Sequence, residues 1–505
     1  MSGPERSGRG AVVDASETAE RYPRRWTALL FIAVAQLMVV VDTTVVNIAI
    51  PSTQADLGMA DGDRQWIIAA YTLAFGGLLL LGGRVTDVLG RKRALLIGLA
   101  GFAAASALGG AATGSAMLIT ARALQGAFGA LLSPAALAMV TVMFTEPKER
   151  GKAFGIYNAV AGSGLAAGLI LGGVLTQFLN WRWAFYISIP FAVVAAAGAV
   201  AVVREPVRSR RAGPLDLPGA ALVGTGLVLT VLAFAAADSD GWANGHTLRL
   251  AGAAVVLLAA FTVVERRGRA PLLPPRLVGD RNRAGVYLAL GLSVMTMFGL
   301  FLFMTYYLQT VKGYSPVVAG LGFLPMVAGM VVGSTQLGGR LLAHVPPRVL
   351  ISGGFLIAAA GMWLLTGLQV GSAYPSVLLP AGVLIGLGLG AAFVPAMSVA
   401  TLGVEPRDTG VASAMVNAVQ EVGGSIGTVL LNSIAAGATA TYLGTRRTGG
   451  ADPSEALRLE AMVHGFAVAT WWAIGILVLA ALLAVIMITA RPGDPGRDGP
   501  ASGKA

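Results

Sequence analysis

The 505-residue chain contains no cysteine. Disulfides, thiol nucleophiles and thiolate metal sites are therefore excluded. Histidine is almost as scarce. His246, His344 and His464 lie far apart, in no ligand-like spacing, so no metal site is expected. Charge is thin as well: 12% of residues are Asp, Glu, Lys or Arg, against about 25% in an ordinary soluble domain. No phosphate-cradling loop appears, because the glycine run "GSGLAAG" sits inside an apolar stretch. No nucleophile–base pair stands out either. The chain is read as a non-enzyme with no catalytic residue and no cofactor.

What fills the space is hydrocarbon. Hydrophobic residues make up 55% of the chain, and the mean hydropathy is +0.73. Fourteen apolar segments can be drawn, at 26–50, 65–83, 93–112, 116–144, 153–177, 183–203, 217–237, 248–264, 283–310, 317–337, 348–368, 376–401, 409–436 and 465–490. Each is about 20 residues long, enough for a helix to cross roughly 30 Å of lipid. The expected class is an all-α polytopic membrane protein. The 68 glycines suit helices that must approach closely without a hydrophobic driving force.

Alternate loops differ in basic charge, which sets orientation. One set carries Arg84, Arg91, Lys92 and Arg93, then Lys148, Arg150 and Lys152, then Arg204, Arg208, Arg210 and Arg211, then Arg266, Arg267, Arg269 and Arg276. The other set holds little beyond Arg64, Arg182 and Lys312, apart from Arg446, Arg447 and Arg458 in the penultimate external loop. The rich side is expected in the cytoplasm of a cell-membrane protein, with both termini inside. The net charge of +11 then serves topology and contact with anionic lipid, not nucleic acid. Residues 1–25 and 491–505 read as polar cytoplasmic tails, the first without a signal-peptide cleavage site.

A weak internal repeat divides the rest. "GGRVTDVLGRKR" resembles "GGRLLAHVPPRV", "EPKERG" resembles "EPRDTG", and "GALLSPA" resembles "GAAFVPA". The three pairs lie 256, 259 and 261 residues apart. Near-constant offsets argue for duplication. They suggest six-helix halves at 26–203 and 283–490, with two inserted helices and their linkers at 204–282. Paired halves with a site at their interface are the architecture of secondary transporters.

Five stretches carry possible chemistry. In "DTTVVNIAIP", Asp42, Thr43 and Asn47 span about 140° of a helix, a polar sector that favours a cavity over lipid. Intramembrane acids are rare and usually functional, which makes Asp42 a candidate for proton or substrate handling; the competing reading is a buried group satisfied by its neighbours. In "GGRVTDVLGRKR", Gly83 and Gly90 allow tight turning, Asp87 can pair with a basic group, and Arg91 and Lys92 anchor one membrane face. In "RALQGAFG", Arg122, Gln125, Gly126 and Gly129 share a face. A guanidinium there is costly unless paired, and Asp42 is the candidate partner. In "GSGLAAGLILGGVL", Gly164, Gly168, Gly172 and Gly173 make a smooth stripe, suited either to a hinge or to plain close packing. In "NAVQEVGGSIG", Asn417, Gln420 and Glu421 share a face, and Glu421 is either a second proton or cation site or a protonated, hydrogen-bonded carboxyl. Tyr71, Tyr157, Asn158, Tyr306, Tyr307 and Gln309 are further candidates for a cavity wall, each also explicable as packing.

These stretches, over nearly the whole chain, resemble the major facilitator superfamily and within it the fourteen-helix drug/proton antiporter branch. The resemblance implies two six-helix halves plus two additional helices. It implies proton-coupled efflux of a small drug or antibiotic, with Asp42, Arg122 and Glu421 in coupling and Asn47, Gln125, Asn417 and Gln420 on the substrate cavity. Gly83, Asp87, Gly90, Arg91 and Lys92 would form a conformational latch on the cytoplasmic face, and the four helix-five glycines a packing hinge. Two departures stand out. Leu169 occupies a position where the wider family often has proline, and Glu421 one where glutamine is common. The repeat's second latch has Ala343 where Asp87 would correspond. A monomer is expected. An uptake symporter or metabolite exporter on the same fold, and a transport-inactive scaffold or sensor, remain as alternatives.

Overall fold

The computed structural model describes residues 24–60, 63–144, 146–203, 216–241, 243–268, 279–402, 404, 409–446 and 453–490. All regular structure among them is helical. We label the helices α1 (Arg25–Leu57), α2 (Trp66–Leu89), α3 (Arg91–Gly110), α4 (Ser115–Met143), α5 (Pro147–Phe178), α6 (Trp183–Val202), α7 (Leu217–Asp240), α8 (Gly245–Arg267), α9 (Arg281–Val311), α10 (Pro316–Gly339), α11 (Pro347–Leu365), α12 (Tyr374–Thr401), α13 (Thr409–Arg446) and α14 (Glu455–Met487). Thirteen of the fourteen have described stretches long and apolar enough to span a membrane; in α5 the apolar stretch Ser163–Phe178 is shorter.

The helices overrun the apolar segments at several ends, because a helix continues wherever its backbone can bond internally. The stretch 436–465 is therefore mostly not a loop. Arg446 closes the last turn of α13, and Arg458 sits in the first turns of α14, whose N-terminus is capped by Ser454. A helix also begins where the chain must turn sharply. Gly90 has φ +95°, a conformation disfavoured for residues with a Cβ, and joins α2 to α3 with no intervening loop.

Two bundles form, α1–α6 and α9–α14; one apolar core is built almost wholly from the first, and a larger one runs across both. Within the first, α2 packs on α4, α4 on α3, and α1 on α5 and α6. Within the second, α12 packs on α10 and α11, and α9 on α13 and α14. The pairs α2–α4 and α10–α12 use the same device. A Cβ on Gly82 would strike the Ala130 carbonyl across α2–α4, and one on Gly390 would strike the Met330 carbonyl across α10–α12. Backbones thus touch directly, as small-residue contacts between membrane helices allow. The two differ in one respect: α10 widens into a π-helical stretch at Gly333–Gly339, whereas α2 is regular.

Three seams join the bundles: α2 with α13, α5 with α10, and α1 with α9. Helix α7 lies against both α2 and α13, with Leu227 and Val231 among Leu73, Ala69 and Val429. It therefore covers one seam from outside, while α8 packs mainly on α7.

Candidate functional site

The polar centre is built on α1, α4 and α6. Gly126 places it. A side chain there would collide with the Tyr71 carbonyl, so glycine lets α4 close on α2 and brings Arg122, one turn earlier, against the start of α2. Arg122 is 1% exposed and Asp42 is fully buried. Nη1 of Arg122 donates to Asp42 Oδ2 at 2.7 Å and to Gln125 Oε1 at 2.9 Å, and Nε donates to the Ile67 carbonyl at 2.8 Å. The guanidinium also lies over the Tyr71 ring, 4.3 Å from its centroid. The second carboxylate oxygen is equally engaged. Asp42 Oδ1 accepts from Gln125 Nε2 at 2.8 Å and from Ser188 Oγ at 3.0 Å, and Gln125 Nε2 also donates to Ser106 Oγ at 2.8 Å.

Asp42 is thus tolerated in an apolar core because three donors from two neighbouring helices meet it. A buried ion pair of this kind is stable only with such saturation. Removing one member strands the other charge, typically at a cost of about 3–5 kcal/mol. The arrangement holds a carboxyl that can gain a proton only by loosening a charged hydrogen bond. That is a chemical requirement for a protonation-linked change of shape.

The structure places the other candidates unevenly. Gln125, read as a wall of the substrate cavity, is wholly buried inside the Asp42 network. Asn47 is half-buried on α1, with an Oδ1 that accepts no hydrogen bond. Asn417 is exposed and Gln420 half-buried on α13. Among the described residues no hydrogen bond joins these three. Glu421 stands across α2 from Arg122, its Cβ 2.9 Å from where a Gly76 Cβ would sit, and its Oε2 is buried without a hydrogen-bond partner.

The glycine stripe of α5 has a definite partner. Gly164 meets Leu37 and Val40, Gly168 meets Val41 and Thr44, and Gly172 meets Val45 and Ile48, so the stripe seats α5 on α1. Gly173 faces away from it, onto Pro316 and Val317 of α10 in the other bundle. In the first turn of α3, Lys92 Nζ donates to the carbonyls of Val203 at 2.6 Å and Val200 at 3.1 Å, neutralising the C-terminal dipole of α6 within its own bundle. Gly83 is half-buried near Pro134 of α4, and Arg91 is half-buried. The side chain of Asp87 lies outside the described residues, as does that of Asn158.

Several polar side chains of the cavity-wall set are spent on hydrogen bonds to other elements of the fold. Tyr157 donates to Gln36 Oε1, Tyr307 to the Gln369 carbonyl, and Gln309 to the Ile48 carbonyl. Ser188 and Ser106 were not singled out by the sequence. A serine in an apolar run is a weak signal, and only the fold shows that it meets a carboxylate. A small apolar cavity between α9, α10, α11 and α12, lined by Phe301, Met304, Phe323 and Tyr374 among others, lies in the second bundle and contains no acid.

Residues 32–428 match the family described as Major Facilitator Superfamily. The chain belongs to that superfamily. Across 95% of its length it is 52% identical to the puromycin resistance protein pur8 of Streptomyces alboniger, covering 94% of that protein. It is 41% identical to the cephamycin export protein CmcT of Amycolatopsis lactamdurans, over 82% of this chain and 85% of that one. Among solved structures it resembles an inward-facing bacterial homolog of the human lysosomal transporter Spinster, with a TM-score of 0.66 at 17% identity, covering 92% of this chain and 97% of that one. This last likeness concerns the fold alone. The protein is a multi-pass membrane transporter of the superfamily, related to antibiotic resistance and export proteins.

Proposed function

We propose that this superfamily member exports a small amphipathic drug or antibiotic across the cytoplasmic membrane in exchange for protons. Similarity to pur8 and CmcT supports export, and it makes puromycin and cephamycins the first compounds to try. The observation that carries proton coupling is the Asp42–Arg122 pair, buried in the first bundle with both carboxylate oxygens hydrogen-bonded. The basic loops support a cytoplasmic position for both termini. The protein works as a monomer, with protons and drug as its small partners and lipid around it. It uses no nucleotide, metal or other cofactor.

Protonation of Asp42 removes the charge that holds Arg122 Nη1. Arg122 stays tethered to α2 through Ile67 and Tyr71, while the charged tie between α1 and α4 is lost and only the Gln125–Asp42 hydrogen bond joins them at that point. The two protonation states then favour different arrangements of the helices, and that difference lets a proton gradient drive alternating access. A proton from outside neutralises Asp42, the bundles rock, and its release inside restores the pair. Glu421, carrying a buried unpartnered oxygen on the other bundle, supplies a second titratable or cation-attracting group facing the seam.

Asp42→Asn tests this reading. The amide keeps the shape and an acceptor oxygen but cannot exchange a proton with the gradient. In everted vesicles, proton-driven puromycin uptake should fall at least tenfold in the variant while the folded protein persists. Undiminished uptake would remove Asp42 from coupling.

A further inference from the structure

The bond from Ser425 Oγ to the Ala69 carbonyl lies deep between the two bundles, but most hydrogen bonds between them that join described residues lie toward the end opposite the termini. Five residues there form a continuous polar cluster. Arg64, in the α1–α2 turn, is 5% exposed, and its Nε and Nη2 both donate to Asn432 Oδ1 of α13 at 3.2 Å. Its guanidinium lies over the ring of Tyr306 of α9, 4.1 Å from the centroid. Tyr306 donates its hydroxyl to Gln54 Oε1 of α1, and Asn432 Nδ2 donates to Gln65 Oε1 at 3.0 Å.

The first bundle thus grips α9 and α13 of the second through one buried cation and two amides. Gln54 lies twelve residues beyond Asp42 on α1, so the cluster sits roughly 18 Å further along the helix. A buried guanidinium is a poor static filler. It demands acceptors, and here the described acceptor comes from the other bundle. Separation of the bundles at this end would break the cluster and expose all of it to water, where each group is readily hydrated.

We propose that Arg64, Asn432 and Tyr306, with Gln54 and Gln65 behind them, are the gate that closes the outer mouth of the transport path. The conformation described is then the outward-closed one, and Arg64 sets how often the mouth opens. The inference rests on alternating access but not on proton coupling.

The absence of cysteine makes the test clean. Asn47→Cys places a reporter on α1 about two helical turns deeper than Gln54. Its labelling by a membrane-impermeant maleimide is timed in right-side-out vesicles. Ala373→Cys, exposed in the α11–α12 turn at the same end, reports folding and should label equally in every background. Arg64→Ala should speed reporter labelling at least threefold. Asn432→Asp, which turns the acceptor into a carboxylate, should slow it at least threefold, and the slowing should vanish when both changes are combined. Should Arg64→Ala fail to reach the membrane, Arg64→Gln takes its place with the same expectation. Either single change leaving the rate untouched, or both moving it the same way, overturns the gate. An exporter that ignored protons would still give the expected pattern, so the two ideas fail separately.

Discussion

Asp42 is costly to bury, and its surroundings show how that cost is met. Arg122 supplies the opposite charge, Gln125 and Ser188 take the second oxygen, and Tyr71 covers the guanidinium face. The geometry depends on arginine, whose planar fork reaches Asp42, Gln125 and the Ile67 carbonyl at once. A lysine carries the charge as a point and lacks that fork. Arg122→Lys should therefore keep the protein in the membrane but lower efflux at least tenfold in everted vesicles; wild-type rates would show that charge alone suffices. Gln125→Leu should act more mildly. It deprives Asp42 Oδ1 of one donor and strands Ser106, with an expected stability loss of about 1–3 kcal/mol by thermal or denaturant unfolding in detergent. The need for a partner was legible from Asp42 and Arg122 alone, since two lone charges in apolar helices call for each other. Ser188 was not, because its role depends on where α6 lands. Nor was the burial of Gln125, since a helical wheel shows which residues share a face but not what that face meets.

Helix α5 shows how one element sets the position of another. Its stripe of Gly164, Gly168 and Gly172 seats it on α1, the helix that carries Asp42. Either a hinge or plain close packing could have been read from the sequence; the structure supplies the packing partner, and a sliding role is a separate property of the same face. A Cβ at Gly172 would come within 2.9 Å of Val45 Cα, which side-chain motion cannot relieve. Gly172→Leu should push α1 off α5, cost about 1–3 kcal/mol in overpacking and lower drug resistance in expressing cells. Gly155→Ala, in the same helix but with nothing within 4 Å of the added carbon, should leave resistance unchanged. Equal effects from the two would mean that the α5 glycines act through general helix propensity. Helix lengths were legible to within a turn or two where apolar runs ended in charge. They were not at α13 and α14, whose polar ends continue as helix into the stretch read as a loop.

At the scale of the whole molecule, the repeat seen in three short sequence pairs reappears as paired helices. The α2–α4 and α10–α12 contacts both rest on glycine against backbone. The seams between bundles were not legible, since they depend on residues such as Asn432 and Gln177 that look like unremarkable polar positions in the chain. Gln177 Oε1 accepts from the Val317 amide across α5–α10, a different seam from the α2–α13 one that α7 covers. Tethering that seam should stop transport. With Gln177→Cys and Val317→Cys joined by a short cleavable thiosulfonate linker, efflux should cease and return on cleavage. Efflux that continued through the linked state would rule out rocking of the bundles about this seam.

The most direct test of the account is gradient dependence. Cells expressing the protein are first profiled for the antibiotics they resist, and one such drug is then followed into everted vesicles. The account predicts concentrative uptake that vanishes when both the pH difference and the membrane voltage are dissipated. Uptake that stays concentrative with both collapsed would contradict it.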